Sequence, residues 1–290
     1  MRDEPSRTAE TVCFFRASDQ RREPSERIVD DPYAKMFLGP MMRTALAALQ
    51  VSGRVGQRAE EYSPGLAAYI LCRHRFIDDR LRDALNDTTQ PIEQVVLLGA
   101  GYDTRAYRFA SALRGRPVFE LDFPSTSRRK AELVAEKKAE LPSTNVTVVE
   151  IDFLTERVED RLAATGFRKG ARTFFVWEGV SMYLSRKAVQ STLATLRAIS
   201  GAGSQLLMDC WYLLDAPDVV STAHRMSANL LHLLGEPVTF GIHPEDVTPF
   251  LDRLSYDLVD LADAAELERR YVRDDRKVYP ALYVLRAQTR

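Results

Sequence analysis

Cysteine is scarce in this chain: three residues among 290, at positions 13, 72 and 210, with no CxxC pair. An odd number of widely spaced cysteines builds neither a disulfide framework nor a zinc site, so reduced thiols are expected. Histidine is nearly as sparse, His74, His224, His232 and His243 being the whole set. His224 and His232 lie eight apart on an apolar segment, but no acid completes a metal constellation, and no metal is expected. An excess of one charge is also missing, since 40 Lys+Arg stand against 41 Asp+Glu for a net charge of −1. That balance gives no reason to expect nucleic acid or an anionic membrane as partner. No apolar run approaches the length of a membrane span. The polar opening MRDEPSRTAE does not read as a signal peptide, and a cytoplasmic protein is the expectation. Internal repeats and Ser, Gln or Gly tracts are lacking too. With 45% hydrophobic residues, the chain has the means to bury a core.

The length fits one α/β domain with additions, or at most two domains. Residues 1 to about 90 read mostly as helix: Ala9 to Ala17, a start at Asp31-Pro32, Met41 to Val51, and a long helix from Gly65 to Leu85. From there strands and helices alternate. Strands are expected at 94–98, 117–121, 146–150, 172–177, 204–210 and 279–286, and helices at 104–113, 126–140, 155–165, 186–200 and 244–254. A further strand near Tyr256 to Asp260 is placed to pair antiparallel with the last one. This alternation predicts a doubly wound, mostly parallel sheet with right-handed crossovers. The apolar stretch 211–243 reads as a helical insertion. Insertions on such sheets lie near the carboxyl ends of the strands, where ligands bind, so it is expected to cover a substrate. The expected organisation is thus a helical lid over 1–90 on a single α/β unit over 91–290.

The most informative stretch is Val95 to Phe109, VVLLGAGYDTRAYRF. Val95 to Leu98 has no polar face, as befits a strand buried on both sides. Gly99 and Gly101 follow at once, where a backbone must bend sharply and let a ligand come close. Asp122 comes 21 residues after Gly101, at the tip of the next apolar segment. An acid there is placed to accept hydrogen bonds from both hydroxyls of a ribose. Glu120 points to the same side of the strand but sits further from its tip. A GxG turn alone is a weak signal, often no more than a tight turn; the strand before it and the acid after it indicate a nucleoside cofactor. The dinucleotide fingerprint needs a third glycine at position 104, where this chain has Thr, and Asp103 puts negative charge where a pyrophosphate would sit. The pattern suits S-adenosylmethionine (SAM), whose amino and sulfonium groups are cationic. A nicotinamide-dependent reductase is further disfavoured by the lack of a short-spaced YxxxK set.

The segments VVLLGAGYDTRAYRF, FELDFPSTSRRKAEL and FFVWEGVSMYLSRKAV, in that order, resemble the leucine carboxyl methyltransferase family of SAM-dependent O-methyltransferases. Softer matches are SERIVDDPYAKMFL and GIHPEDVTPFLDRLSYDLVD, so that the resemblance spans almost the whole chain. That family includes enzymes acting on a protein C-terminal carboxylate and bacterial enzymes acting on small molecules, the tetracenomycin-pathway-like branch among them. The resemblance implies the class I methyltransferase fold and places Glu178 beside the methionine part of SAM. It gives Asp152 and Phe153 the adenine, and Arg73 the SAM carboxylate, with Arg75 as a rival and Arg16 as a second basic residue. Each has a plainer alternative: helix caps for Glu178 and Asp152, solvated helix faces for the arginines.

A carboxylate acceptor is ionised near neutrality and needs no base, whereas a phenol or alcohol does. Tyr183, His224, His232, His243 and Tyr212 are the available candidates, and none stands out. The expected acceptor is a small, mostly apolar molecule of secondary metabolism with a carboxyl or phenolic group. Its pocket is expected between the N-terminal helices and Trp211, Tyr212, Leu230, Leu231, Leu233 and Leu234. Methylation of a protein C-terminus and a non-catalytic SAM-binding module remain as alternatives.

Overall fold

A computed structural model describes residues 5–52, 64–212 and 238–290. The chain begins with helices α1 (Arg7–Asp19), α2 (Pro40–Ser52) and α3 (Leu66–Asn86). The Asp31-Pro32 start yields only a 3-10 turn at Ala34–Phe37, in which Asp31 accepts hydrogen bonds from the N–H groups of Tyr33 and Ala34. The core then alternates through β1 (Gln94–Leu98), α4 (Arg105–Arg108), α5 (Ala110–Leu113), β2 (Val118–Asp122), α6 (Pro124–Glu136), β3 (Val146–Glu150) and α7 (Val158–Ala163). It continues with β4 (Thr173–Trp177), α8 (Arg186–Ile199), β5 (Gln205–Trp211), α9 (Pro244–Asp252), β6 (Tyr256–Ala262), α10 (Ala264–Tyr271) and β7 (Leu282–Thr289).

These strands form one seven-stranded sheet in the order β3-β2-β1-β4-β5-β7-β6. β1 to β5 run parallel, and β7 pairs antiparallel with both β5 and β6. The doubly wound arrangement follows from burial on both faces of the central strands. In β1, Val95 and Leu97 join the apolar layer under α3 and α10, while Val96 and Leu98 join the layer under α7, α8 and α9. A third cluster seats the N-terminal segment: Cys13, Ala17 and Phe37 pack with Tyr102, Tyr107 and Leu133.

Boundaries depart from the sequence reading where local hydrogen bonds override periodicity. The expected helix 104–113 is two short helices that meet at Phe109. The expected helix at 155–165 starts only at Val158, because Asp152 to Glu156 form a turn in which the Asp152 carbonyl accepts from Thr155 and Glu156 N–H groups. Helix α10 was not expected. Its signal was Asp263, whose side chain accepts from the Glu266 N–H in a helix-capping arrangement. Of the stretch 211–243, residues 213–237 lie outside the described residues, and with them Leu230, Leu231, Leu233, Leu234, His224 and His232. The returning chain docks at the head of the sheet, where Thr239 and Phe240 N–H groups donate to the Met182 carbonyl and Ile242 N–H to that of Trp211.

Candidate functional site

At the carboxyl ends of β1, β2 and β4 lies a cavity of about 730 Å³. Its floor is the turn after β1. Gly99 (φ +71°) and Gly101 (φ +46°) are in the left-handed region, and the Gly99 and Ala100 N–H groups both donate to the Leu121 carbonyl. A side chain on Gly99 would collide with Val180 Cγ2, so this glycine makes room for the loop after β4 as well as for the bend. At Gly101 an added Cβ would stand 3.1 Å from the Ala9 Cβ of α1. The motif turn is thereby closed in by protein on both sides.

Asp122 ends β2 on the cavity wall. Its Oδ2 accepts from Gly101 N–H at 2.5 Å and its Oδ1 from Phe123 N–H at 2.6 Å, which leaves further lone pairs on both oxygens. Burial raises the Asp122 carboxyl above its usual value, although the two N–H groups oppose the shift. Glu120 does not reach the cavity; it is buried against Lys130 Nζ at 2.7 Å. Asp152 and Phe153 line the next part of the wall. Asp152 Oδ1 accepts from Leu154 N–H at 2.9 Å, so the side chain shapes a turn and is not the cap of α7, whose N-cap is Arg157.

The opposite end of the cavity is ionic. Glu178, just past β4, accepts from Arg73 Nε at 2.9 Å and from Arg105 Nη1 at 2.8 Å, with His74 Nδ1 at 3.3 Å. Burial by itself would raise the Glu178 carboxyl, but Arg105, Arg73 and His74 outweigh it and hold the group well below the usual range. Arg73 lies on the wall, whereas its rival Arg75 turns away to Asp79 and the Ile28 carbonyl. Arg16, from α1, is also on the wall and 2% exposed; its Nη2 donates to the Tyr102 carbonyl at 2.6 Å, and its Nε has no hydrogen-bond partner among the described residues.

Behind this end the ionic network continues. Arg16, Arg73, Arg105 and Arg108 are linked to Asp31, Asp78, Asp103, Glu178 and Asp209 through contacts between largely buried side chains. His74 sits in its midst, Nδ1 beside Arg105 Nη2 at 2.8 Å and Nε2 beside Arg108 Nη2 at 2.7 Å. Burial, with Arg105 next to it, lowers its pKa, so the ring is neutral at pH 7. Four arginines thus face five carboxylates, and the network carries a net negative charge. Thr104, where a dinucleotide-binding chain has glycine, joins this network by donating to Asp31 Oδ2 at 2.7 Å and accepting from Arg108 Nε at 3.0 Å.

The sequence-predicted residues Arg16, Arg73, Gly99, Gly101, Asp122, Asp152, Phe153 and Glu178 therefore share one cavity. Tyr183 and Trp211 line it too. His243 and Tyr212 do not: His243 precedes α9, its ring 6.0 Å from that of Tyr212. Sequence reasoning missed His74, Arg105 and Asp209. The available signals were the position of Arg105 in the glycine motif and an acid inside the apolar run of β5. Among the described residues no cluster of His, Cys, Asp and Glu suits a metal ion.

A mixed, doubly wound sheet with a cavity at its carboxyl edge defines a class I methyltransferase fold, and solved structures share it. A DUF574 family protein from Streptomyces avermitilis superposes with a TM-score of 0.62 at 16% identity, covering 94% of this chain and 100% of that one. A provisionally named methyltransferase from Thermobifida fusca gives 0.59 at 14% identity, covering 99% and 96%. The chain belongs to the leucine carboxyl methyltransferase family, whose model matches residues 9–197. Relatives provisionally named SAM-dependent methyltransferases are 32% identical over 204 residues in a Parafrankia species and 33% identical over 202 residues in Streptomyces coelicolor. The matches cover 70% and 69% of this chain but 62% and 66% of those relatives, so this chain spans less than two thirds of their length.

Proposed function

We propose that the protein is a SAM-dependent O-methyltransferase acting on a carboxylate or acidic hydroxyl of a small, largely apolar molecule, in secondary metabolism. The observation that carries this reading is one cavity with a ribose-type acid, Asp122, at one part and an acid-rich ionic end at Glu178. A net negative surround suits a ligand with sulfonium and ammonium groups and opposes a pyrophosphate. The donors fit as well. Among the described residues, the buried Arg16 Nε has no partner and the Phe153 N–H makes no hydrogen bond. The first suits a carboxylate and the second an adenine ring nitrogen.

Bound there, SAM would supply an electrophilic methyl group on its sulfonium sulfur for transfer to the acceptor oxygen, with the thioether as leaving group. The protein's part is to hold the two reactants in line and exclude water. Asp122 would hold the ribose, Asp152 the adenine amino group, and Arg73 with Arg16 the carboxylate. Calorimetry with SAM and with NADH tests the cofactor: SAM is expected to bind and NADH not, and binding of NADH alone would overturn the reading.

An acceptor oxygen that needs no base is favoured by the placing of His243 off the cavity wall and of His74, which is on that wall, with both ring nitrogens against Arg105 and Arg108. Replacing His224, His232 or His243 singly by Gln is expected to leave turnover within about tenfold of the parent. A loss of about 10² or more at one of them, typical of removing a general base, would point to an alcohol acceptor.

The N-terminal segment, residues 1 to about 90, acts in this reading as a lid on a single α/β unit. Ser6, Ala9, Val12 and Arg16 of the first helix and its cap all face the cavity. Limited proteolysis in the exposed stretch after α1, residues 21–25, is expected to be fast in the free protein and slowed by saturating SAM. Equal cleavage rates would mean that the segment is a fixed wall.

A further inference from the structure

β5 is buried along its whole length, yet its fifth residue is an aspartate with no exposed surface. A carboxylate inside a sheet is costly unless its oxygens are fully engaged. Asp209 Oδ1 accepts from Gly179 N–H at 2.7 Å, and Oδ2 pairs with Arg73 Nη1 at 2.6 Å. Its backbone carbonyl accepts from Ser181 Oγ at 2.9 Å. Asp209 does not itself line the cavity, but everything it holds does so or adjoins it: Arg73 on α3 and the loop that follows Glu178.

Arg73 is thus gripped twice, with Nε on Glu178 and Nη1 on Asp209. A guanidinium held at both positions cannot turn about its Cζ–Nε bond, so Nη2 is left as its directed donor. Nη2 stands 3.6 Å from where a side chain on Gly179 would begin, and Gly179 has a left-handed φ of +71°. The glycine keeps this flank of the guanidinium open. Because two carboxylates already balance its charge, Arg73 offers an aimed hydrogen bond in place of an unpaired cation.

We propose that Asp209 is a positioning residue: it locks Arg73 against Glu178 and the Gly179 loop, and so aims Arg73 Nη2 at the amino-acid end of the cofactor. The proposal rests on the reading of the cavity as a SAM site. It predicts a dependence on the ligand's carboxylate that general loosening of the fold would not give.

The test is calorimetry of the full chain with S-adenosylhomocysteine and with methylthioadenosine, which keeps the nucleoside and thioether but lacks the amino-acid end. In Asp209→Asn, Oδ1 still accepts from Gly179, but the amide N–H groups face Arg73 Nη1. Affinity for S-adenosylhomocysteine is expected to fall about tenfold or more, the scale of a lost charge-assisted hydrogen bond, and that for methylthioadenosine by less than about threefold. Equal losses for both ligands, or no loss, would overturn the positioning role alone. A parent chain that binds neither ligand would overturn the cofactor reading with it. Should Asp209→Asn fail to fold, the parent protein with nitrogen-labelled arginine gives a second readout. The Arg73 Nη1 and Nη2 signals, assigned by their loss in Arg73→Lys, are expected to be separate before ligand is added, with S-adenosylhomocysteine shifting Nη2. One averaged signal in the free protein would mean that the grip is absent and would overturn the proposal.

Discussion

Asp122→Ala is expected to lower SAM affinity at least tenfold while leaving the chain folded. Asp122 is the acid proposed for the ribose, and both of its oxygens keep lone pairs beyond the bonds they accept from Gly101 and Phe123 N–H groups. Two hydrogen bonds from ribose hydroxyls to a charged acceptor are worth roughly 1.5–3 kcal/mol each, so tenfold is a conservative bound. The turn after β1 is still held without this side chain, because Gly99 and Ala100 donate to the Leu121 carbonyl independently of it. Calorimetry with circular dichroism on the same samples checks both halves of the statement. Unchanged affinity in a folded variant would remove the ribose from Asp122.

Arg105→Met is expected to have the larger effect on stability, about 3–5 kcal/mol, the range for breaking a buried ion pair from one side. Arg105 is 1% exposed and pairs with Asp78 at 2.7 Å, with Glu178 at 2.8 Å and with Asp103. A methionine of similar length fills the space but leaves these carboxylates one cation short. Burial would raise the Asp78, Asp103 and Glu178 carboxyls, yet the neighbouring arginines and His74 hold all three below the usual range. Groups with depressed folded-state values contribute stability above the unfolded carboxylate range, about pH 4, and lose it as the pH falls below that. The gap in urea midpoint between parent and variant is therefore expected to be widest near neutrality and to shrink below about pH 4. His74 adds its own slope to both proteins. Its lowered value means that the unfolded chain takes up a proton first, so stability begins to decline below about pH 6.5. A gap that stays constant down to pH 3 would assign the loss to packing.

The parts of this molecule that were legible in sequence are those where one residue type has one physical use. Gly99 and Gly101 after four apolar residues announced the turn, and Asp122 announced the end of β2. The sheet's parallel part and its antiparallel finish followed from alternation and from apolar runs with no polar face. The buried network was not legible, because charge has two uses that look alike in one dimension. Arg73, His74 and Arg75 are consecutive on α3; the first two go inward and the third outward, to Asp79. Periodicity over so few residues does not separate them, since the inward side of α3 is itself part ionic. Asp209 is the opposite case: an acid within an apolar strand was visible, but its partners, Gly179 and Arg73, come from distant parts of the chain. The short helices α4, α5 and α7 were misjudged in length because local hydrogen bonds, such as those to the Asp152 carbonyl, set their ends.

Because β7 follows β6 in the chain yet lies between β5 and β6, nascent protein released only through Ala262 has two strands waiting for one absent partner. One of them is β5, apolar except for Gln205 and Asp209, whose open edge would be an adhesive surface for other strands. Until Leu282 to Thr289 has emerged from the ribosome, the sheet cannot be closed on that side. The Tyr69 hydroxyl, which donates to the Tyr283 carbonyl, likewise finds its acceptor only then, so the helix that carries Arg73 gains this tie only once β7 is made. A chain cut between Ala262 and Leu282 would therefore carry an open β5 edge and an unfinished cavity, which Leu282 helps to line.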